Sequence, residues 1–166
     1  MAEPKHIPRN AVLVERYQEL NSFTRAFAAG HLRFLMVVGP AGTGKSRAMR
    51  SAVARRAAWG DGNATAFGVY CAAFMHQDQP IVLDDVDALY RDTNGIRLLK
   101  QLCQSETSRL LGWYSDPQYL ERRGIPRTFT TSSPVAIIAN RWSTMNADVA
   151  ALEDRGHMIV FDPPSI

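Results

Sequence analysis

The chain has 166 residues, of which 46% are hydrophobic, 9% aromatic and 21% charged, and its formal net charge is +3. Those proportions exclude a disordered chain and describe one globular domain, long enough to hide roughly 70% of its unfolded surface without disulfides or a structural metal. Two well-separated cysteines, Cys71 and Cys103, argue against a zinc site or redox dithiol and fit a reducing compartment. The charge is mildly basic and almost wholly arginine, since Lys5, Lys45 and Lys100 are the only lysines; it permits a polyanionic partner without requiring one. The first ten residues lack the apolar core of a signal peptide, and the longest strongly apolar run, Phe34 to Val38, is too short to cross a bilayer. A cytoplasmic protein with no membrane partner is the expectation.

Residues 1–13 read as an N-terminal arm and 14–166 as the core. Leu13, Tyr17, Leu20 and Phe27 recur at helical spacing and predict a helix over Leu13 to Ala29, stopped at Gly30. Leu32 to Val38 reads as a buried, parallel strand, Gly44 to Ala58 as a helix, and Trp59 to Asn63 as a loop. Phe67, Tyr70, Cys71 and Phe74 then favour a helix over Ala64 to Gln77, against a competing strand at Thr65 to Tyr70. Pro80 opens a strand over Ile81 to Leu83, Asn94 is taken to cap a helix through Gln104, and Leu110 to Tyr114 reads as a strand. A polar insertion, Ser115 to Ser133, precedes the strand Val135 to Ala139; a helix near Ala147 to Asp154 and a strand near Met158 to Phe161 complete the chain. The alternation predicts an α/β fold on a mainly parallel sheet.

Gly39-Pro40-Ala41-Gly42-Thr43-Gly44-Lys45-Ser46 fits GxxxxGK[ST] between an apolar strand and a helix, the context the motif requires. Glycines let successive N–H groups converge on phosphate oxygens, and the helix start adds its positive dipole end. Lys45 would supply a charge to the β- and γ-phosphates and the Ser46 hydroxyl would bind Mg²⁺, with Arg47 following on the same turn. The alternative is a glycine-rich turn without function. Ile81-Val82-Leu83-Asp84-Asp85 is an apolar strand ending in two acids, which a parallel sheet would deliver to the same edge. Asp84 is the candidate for the metal and Asp85 for polarising the attacking water; otherwise both acids only begin a turn.

Together the two motifs resemble Walker A and Walker B of the AAA+ ATPases, nearest in flavour to helicase-loader, initiator, transposition or phage ATPases. Val135 to Arg141 is similar to the sensor 1 strand, with Asn140 where the side chain orients the attacking water. Ala151 to Gly156, ahead of an apolar strand and Asp162-Pro163, resembles the segment carrying the arginine finger. The resemblance implies a three-layer α/β/α core binding ATP and Mg²⁺, with Arg155 reaching a neighbouring subunit's γ-phosphate in a homo-oligomer. Plainer roles stand beside these: Asn140 ends a strand, Arg155 is a solvated arginine, and Arg141 competes for the finger role. Three departures from the family are visible. Asp85 stands where most members have Glu, which implies slower hydrolysis. The stretch ahead of Walker B reads helical where a strand is usual, so Leu110 to Tyr114 is a candidate for that sheet edge. The chain ends at Ile166, before a helical lid, so it reads as either a core cut from a longer protein, the favoured expectation, or a lidless ATPase.

The insertion sets Tyr119 and Phe129, with Tyr114 at its edge, among Arg122, Arg123 and Arg127, a mixture of rings and cations that suits single strands or phosphate backbones. A solvated loop anchored by its aromatics is the alternative. Arg47, Arg50, Arg55 and Arg56 read as surface or subunit contacts. Three functions remain open: an ATP-driven motor or switch on DNA or a replication or transposition complex, an ATP-dependent assembly module with little turnover, and, fitting worst, a small P-loop kinase.

Overall fold

A computed structural model describes residues 10–115, 117–141 and 156–165. Six parallel strands form one sheet in the order β1-β8-β2-β7-β4-β3: β1 Ala11–Val14, β2 Phe34–Val38, β3 Ala58–Gly60, β4 Ile81–Asp84, β7 Val135–Ala139 and β8 His157–Phe161. β2 and β7 bury all five of their residues, as strands covered on both faces do. The period of two then sorts the side chains. Leu35, Val37, Val82, Ala136, Ile138 and Ile159 face Leu20 and Phe27 of α1 (Tyr17–Ala28) and Met49 and Val53 of α2 (Lys45–Val53). Phe34, Met36, Ile81, Leu83, Val135 and Ile137 face the opposite layer, built from α3 (Ala66–Met75) and α4 (Thr93–Leu102). The fold is therefore α/β, with helices on both faces of a parallel sheet.

Several sequence expectations need correction. The chain joins the sheet at Ala11, inside the expected arm, because Val14 is fully buried and the strand pairs with β8. The first helix starts at Tyr17; Leu13 and Tyr17 are exposed, and its inner stripe is Leu20, Thr24 and Phe27. α2 stops at Val53, where Ala54 adopts φ +52, and the chain turns into β3. That three-residue strand occupies the sheet edge for which 110–114 was the candidate. β5 (Arg109–Gly112) instead pairs antiparallel with β6 (Thr128–Thr131) in a separate hairpin, whose connection carries α5 (Pro117–Arg122). Alternation explains the difference: Leu110 is 59% exposed between buried Arg109 and Leu111, so this strand has one wet face and suits an antiparallel pair. The cap of α4 is Asp92, whose carboxylate accepts the Gly95 N–H at 3.2 Å, and not Asn94.

The helical reading of α3 holds over the competing strand, with the Thr65 hydroxyl accepting the Gly68 N–H at 3.0 Å. The helix expected near 147–154 lies outside the described residues. Among the described residues, no helix is long and apolar enough to cross a membrane. The hairpin packs on the α3–α4 layer through Leu111, Leu120, Ile125 and Phe129. Its base is tied down by Arg109, only 2% exposed, which donates to the Leu102 carbonyl at the end of α4 and to the Ser133 carbonyl just ahead of β7.

Candidate nucleotide-binding site

Register brings the ends of three neighbouring strands together. Val38 pairs with Ala139 and Asp84 with Ile138, so Gly39, Asn140 and Asp85 follow the C-terminal ends of β2, β7 and β4. The Gly39 N–H donates to the Ala139 carbonyl at 3.1 Å and the Asp85 N–H to the Ile138 carbonyl at 3.0 Å, continuing the ladder on both sides of β7. With strands about 4.8 Å apart, the glycine loop and the acids stand about 10 Å from one another, with Asn140 between them.

The glycines of the loop answer different demands. Gly39 lies against the backbone of β8: a Cβ there would sit 2.1 Å from the Phe161 carbonyl oxygen. Gly42 has open space and Gly44 only an ordinary contact with Tyr17, but both take left-handed φ values, +76 and +87. Such turns direct successive N–H groups into one concavity, an arrangement suited to anions, and α2 begins directly behind it at Lys45. Pro40, Ala41 and Arg47 are exposed, and Thr43 and Ser46 half-buried. The Thr43 hydroxyl donates to the Pro40 carbonyl at 2.8 Å, closing the loop on itself.

Lys45 is the one buried cation of this group, 5% exposed. Its ammonium donates to the Pro40 carbonyl at 2.7 Å and lies 3.4 Å from both the Thr43 hydroxyl and Asn140 Oδ1. Burial pulls its pKa below the ordinary lysine range, while Asp84 and Asp85 push it back up. The sequence separation of 95 residues between Lys45 and Asn140 is thus bridged by the fold, and the two acids lie within electrostatic reach of the ammonium. Asp84 is half-buried and Asp85 exposed. Asp85 also takes φ +55, a left-handed conformation that Asp and Asn tolerate better than other side chains, and it turns the chain out of the sheet toward a 3-10 turn at Asp87–Tyr90.

Two contributors were missed in the sequence. Tyr17 reads there as a core residue of its helix, yet it is 52% exposed; a Cβ on Gly44 would lie 3.7 Å from its Cε1, and its ring meets Phe161 edge-on at 5.1 Å. Phe161 contributes its carbonyl wall above Gly39. No local pattern marks either residue, because both arrive through pairing of β1, β8 and β2. Arg155 lies outside the described residues; Arg141, exposed, follows Asn140 directly.

Arg122 at the end of α5, and Arg123 and Arg127 in the segment leading into β6, are exposed. Arg123 donates to the Tyr119 hydroxyl at 2.6 Å and lies 4.6 Å from that ring's centroid. Phe129 is not available for stacking: it is 8% exposed and packs between Tyr70 and Phe74.

No protein-family model matches the chain. It is similar to an uncharacterized 36.7 kDa protein encoded in the nrdC-mobD intergenic region of Enterobacteria phage T4, with 26% identity over 135 residues. The match covers 76% of this chain and 41% of the phage protein, so the chain spans less than half the length of that relative.

Proposed function

We propose that the chain is the ATP-binding, Mg²⁺-dependent ATP-hydrolysing core of an AAA+-type P-loop ATPase. The observation that carries this reading is the convergence on buried Lys45 of the loop Gly39 to Ser46, Asn140, and the acids of β4. The loop supports an anion site on two counts: it has glycine where a Cβ cannot fit, and left-handed glycines where N–H groups must turn inward. The donor set also fits. Mg²⁺ usually takes one or two protein oxygens beside phosphate and water, which the Ser46 hydroxyl and Asp84 carboxylate would provide.

Mg²⁺ held by Ser46 and Asp84 would supply positive charge to the phosphates. Lys45 exchanges the Pro40 carbonyl for a phosphate oxygen, Asp85 accepts a hydrogen bond from the attacking water, and Asn140 orients that water. Arg155 would serve a neighbouring subunit's site, which makes turnover a property of the homo-oligomer. The working partner is DNA or a DNA-bound complex, in keeping with the exposed Arg122, Arg123 and Arg127. A second reading, an assembly module that binds ATP with little turnover, is favoured by the short, exposed Asp85.

Equilibrium binding of a fluorescent ATP analogue, with and without Mg²⁺, tests the site, and phosphate release against protein concentration tests the oligomer. Saturable Mg²⁺-dependent binding with turnover rising steeply with concentration is expected. Binding with flat, negligible turnover selects the assembly module, and no binding overturns both readings.

A further inference from the structure

Away from the phosphate loop, a cavity of about 190 Å³ opens between the first turns of α4 and the end of β5. Its walls are Asn94, Arg97 and Leu98 on one side and Gly112, Trp113, Tyr114 and Ser115 on the other. Pockets for whole drug-sized ligands run roughly 300–1,000 Å³, so this one admits a single flat group. The Tyr114 ring lies over Gly112, where a Cβ would meet its hydroxyl at 2.6 Å, and the residue remains 68% exposed. One ring therefore borders the cavity at the surface, while Asn94 and Arg97 bring the donors and acceptor that read a base edge.

Trp113, one wall of the cavity, begins a row of ring contacts. Trp113 meets Phe67 at 5.3 Å, Phe67 meets Tyr119 at 5.1 Å, and Arg123 closes the row over Tyr119. Tyr119 is 41% exposed. The row thus has an arginine at either end, Arg97 and Arg123. Charge supplies an independent argument. Among the described residues between Arg91 and Arg127, the exposed cations Arg91, Arg97, Arg122, Arg123 and Arg127 outnumber the exposed acids Asp92, Glu106 and Glu121. A protein-binding apolar patch has no need of that bias, whereas a phosphodiester chain does.

We infer that this face binds a single-stranded polynucleotide, with one unstacked base in the Asn94–Arg97–Tyr114 cavity and its neighbours running over Tyr119 and Arg123. The inference deepens the DNA-associated reading above, on which it rests for its biological setting, but it stands on different residues from the ATP site. Stacking on an aromatic side chain is sequence-tolerant and weakens sharply on truncation to alanine, which sets the test.

The experiment measures fluorescence anisotropy of labelled twelve-residue oligo-dT, oligo-rU and a DNA duplex on the full chain without nucleotide. Tyr114→Ala, Arg97→Gln and an Arg122/Arg123/Arg127 to Gln variant are compared, and ATP-analogue binding is measured in parallel. Single strands should bind in preference to duplex, and Tyr114→Ala should weaken them about tenfold, while ATP binding is unchanged. The dT and rU arms distinguish DNA from RNA as the source of the base. Tyr114 is largely solvent-exposed, so its variant should fold, which circular dichroism checks. Absent single-strand binding, equal affinity of wild type and Tyr114→Ala, duplex preference, or loss only in the triple arginine variant each overturns the cavity. Single-strand binding through Tyr114 with no ATP binding would sink the ATPase reading and leave this one intact.

Discussion

Gly39→Ala and Gly42→Ala remove the same hydrogen from the same loop, and the structure assigns them opposite consequences. At Gly39 the added methyl would lie 2.1 Å from the Phe161 carbonyl oxygen and 3.1 Å from its carbon, where real Cβ atoms essentially never come within 3.0 Å. The obstacle is backbone, so no rotamer relieves it, and the ends of β2 and β8 must part by about 1 Å. That movement strains the Asp162 N–H to Val14 carbonyl bond on one side and the Gly39 N–H to Ala139 carbonyl bond on the other. Overpacking costs about 1–3 kcal/mol and a weakened hydrogen bond about 1 kcal/mol, so the fold should lose about 2–4 kcal/mol. At Gly42 nothing lies within 4 Å, and only the left-handed φ of +76 resists, at about 1–2 kcal/mol less the unfolded-state entropy that alanine removes. Urea denaturation followed by tryptophan fluorescence reads both. With a slope of about 2 kcal/mol per molar, Gly39→Ala should lower the midpoint by about 1–2 M and Gly42→Ala by about 0.8 M or less. Gly42→Ala should nevertheless impair ATP binding, since it disturbs the concavity itself. Wild-type stability in Gly39→Ala, or Gly42→Ala as the more damaging change, would refute the assignment of steric and conformational roles.

Two further predictions concern the charged groups. Lys45→Met should reduce ATP-analogue affinity by at least about tenfold, the worth of a charge-assisted contact, while leaving the urea midpoint equal or higher. The sign follows from burial: the folded-state pKa lies below the unfolded one, so the unfolded chain holds more protons just below the ordinary lysine range and wild-type stability gains there as pH rises. The variant should lack that gain in paired urea titrations, and an identical pH profile would contradict the buried charge. Asp85→Asn keeps a side chain that accepts φ +55, so folding and ATP binding should persist while phosphate release falls at least about a hundredfold; undiminished release removes Asp85 as the polarising acid.

The parts of the fold that were legible in the sequence are those with a local cause. The apolar runs at Phe34–Val38 and Val135–Ala139 form buried strands because both faces are covered, and the three glycines ahead of Lys45 mark the turn. β3 was hidden because three residues ending in glycine carry no period, and only pairing with Ile81 to Leu83 defines it. β1 was hidden for a related reason: Leu13 and Tyr17 match a helical stripe, and long-range pairing with β8 overrides it. Within the site, Lys45, Asn140 and the acids of β4 could be named from motif and strand ends, but Tyr17 and the Phe161 carbonyl could not, since nothing local brings them to the loop. The rings of Tyr114, Tyr119 and Phe129 were visible as composition, yet their division into core and surface, with Phe129 inside and Tyr114 outside, needed the alternation of the hairpin.

The same topology links the two sites. α4 starts seven residues after the acids' turn begins at Val86, and its residues Asn94 and Arg97 form a wall of the cavity. At its far end the buried Arg109 guanidinium joins the Leu102 carbonyl to the Ser133 carbonyl, one residue before Pro134 leads into β7, whose other end carries Asn140. If the proposed site rearranges around Asp85 and Asn140 between ATP and ADP, α4 and β5 are the path by which the cavity would respond. Coupling of this kind is reciprocal: if a non-hydrolysable ATP analogue changes oligo-dT affinity relative to ADP, saturating oligo-dT must change the ratio of the two nucleotide affinities by the same factor. We expect a factor of at least about five, or about 1 kcal/mol, measured by anisotropy in one direction and nucleotide titration in the other. Equal oligo-dT affinity with both nucleotides would mean that α4 holds its place through the cycle, and the link through α4 would fall while each site's own chemistry remained.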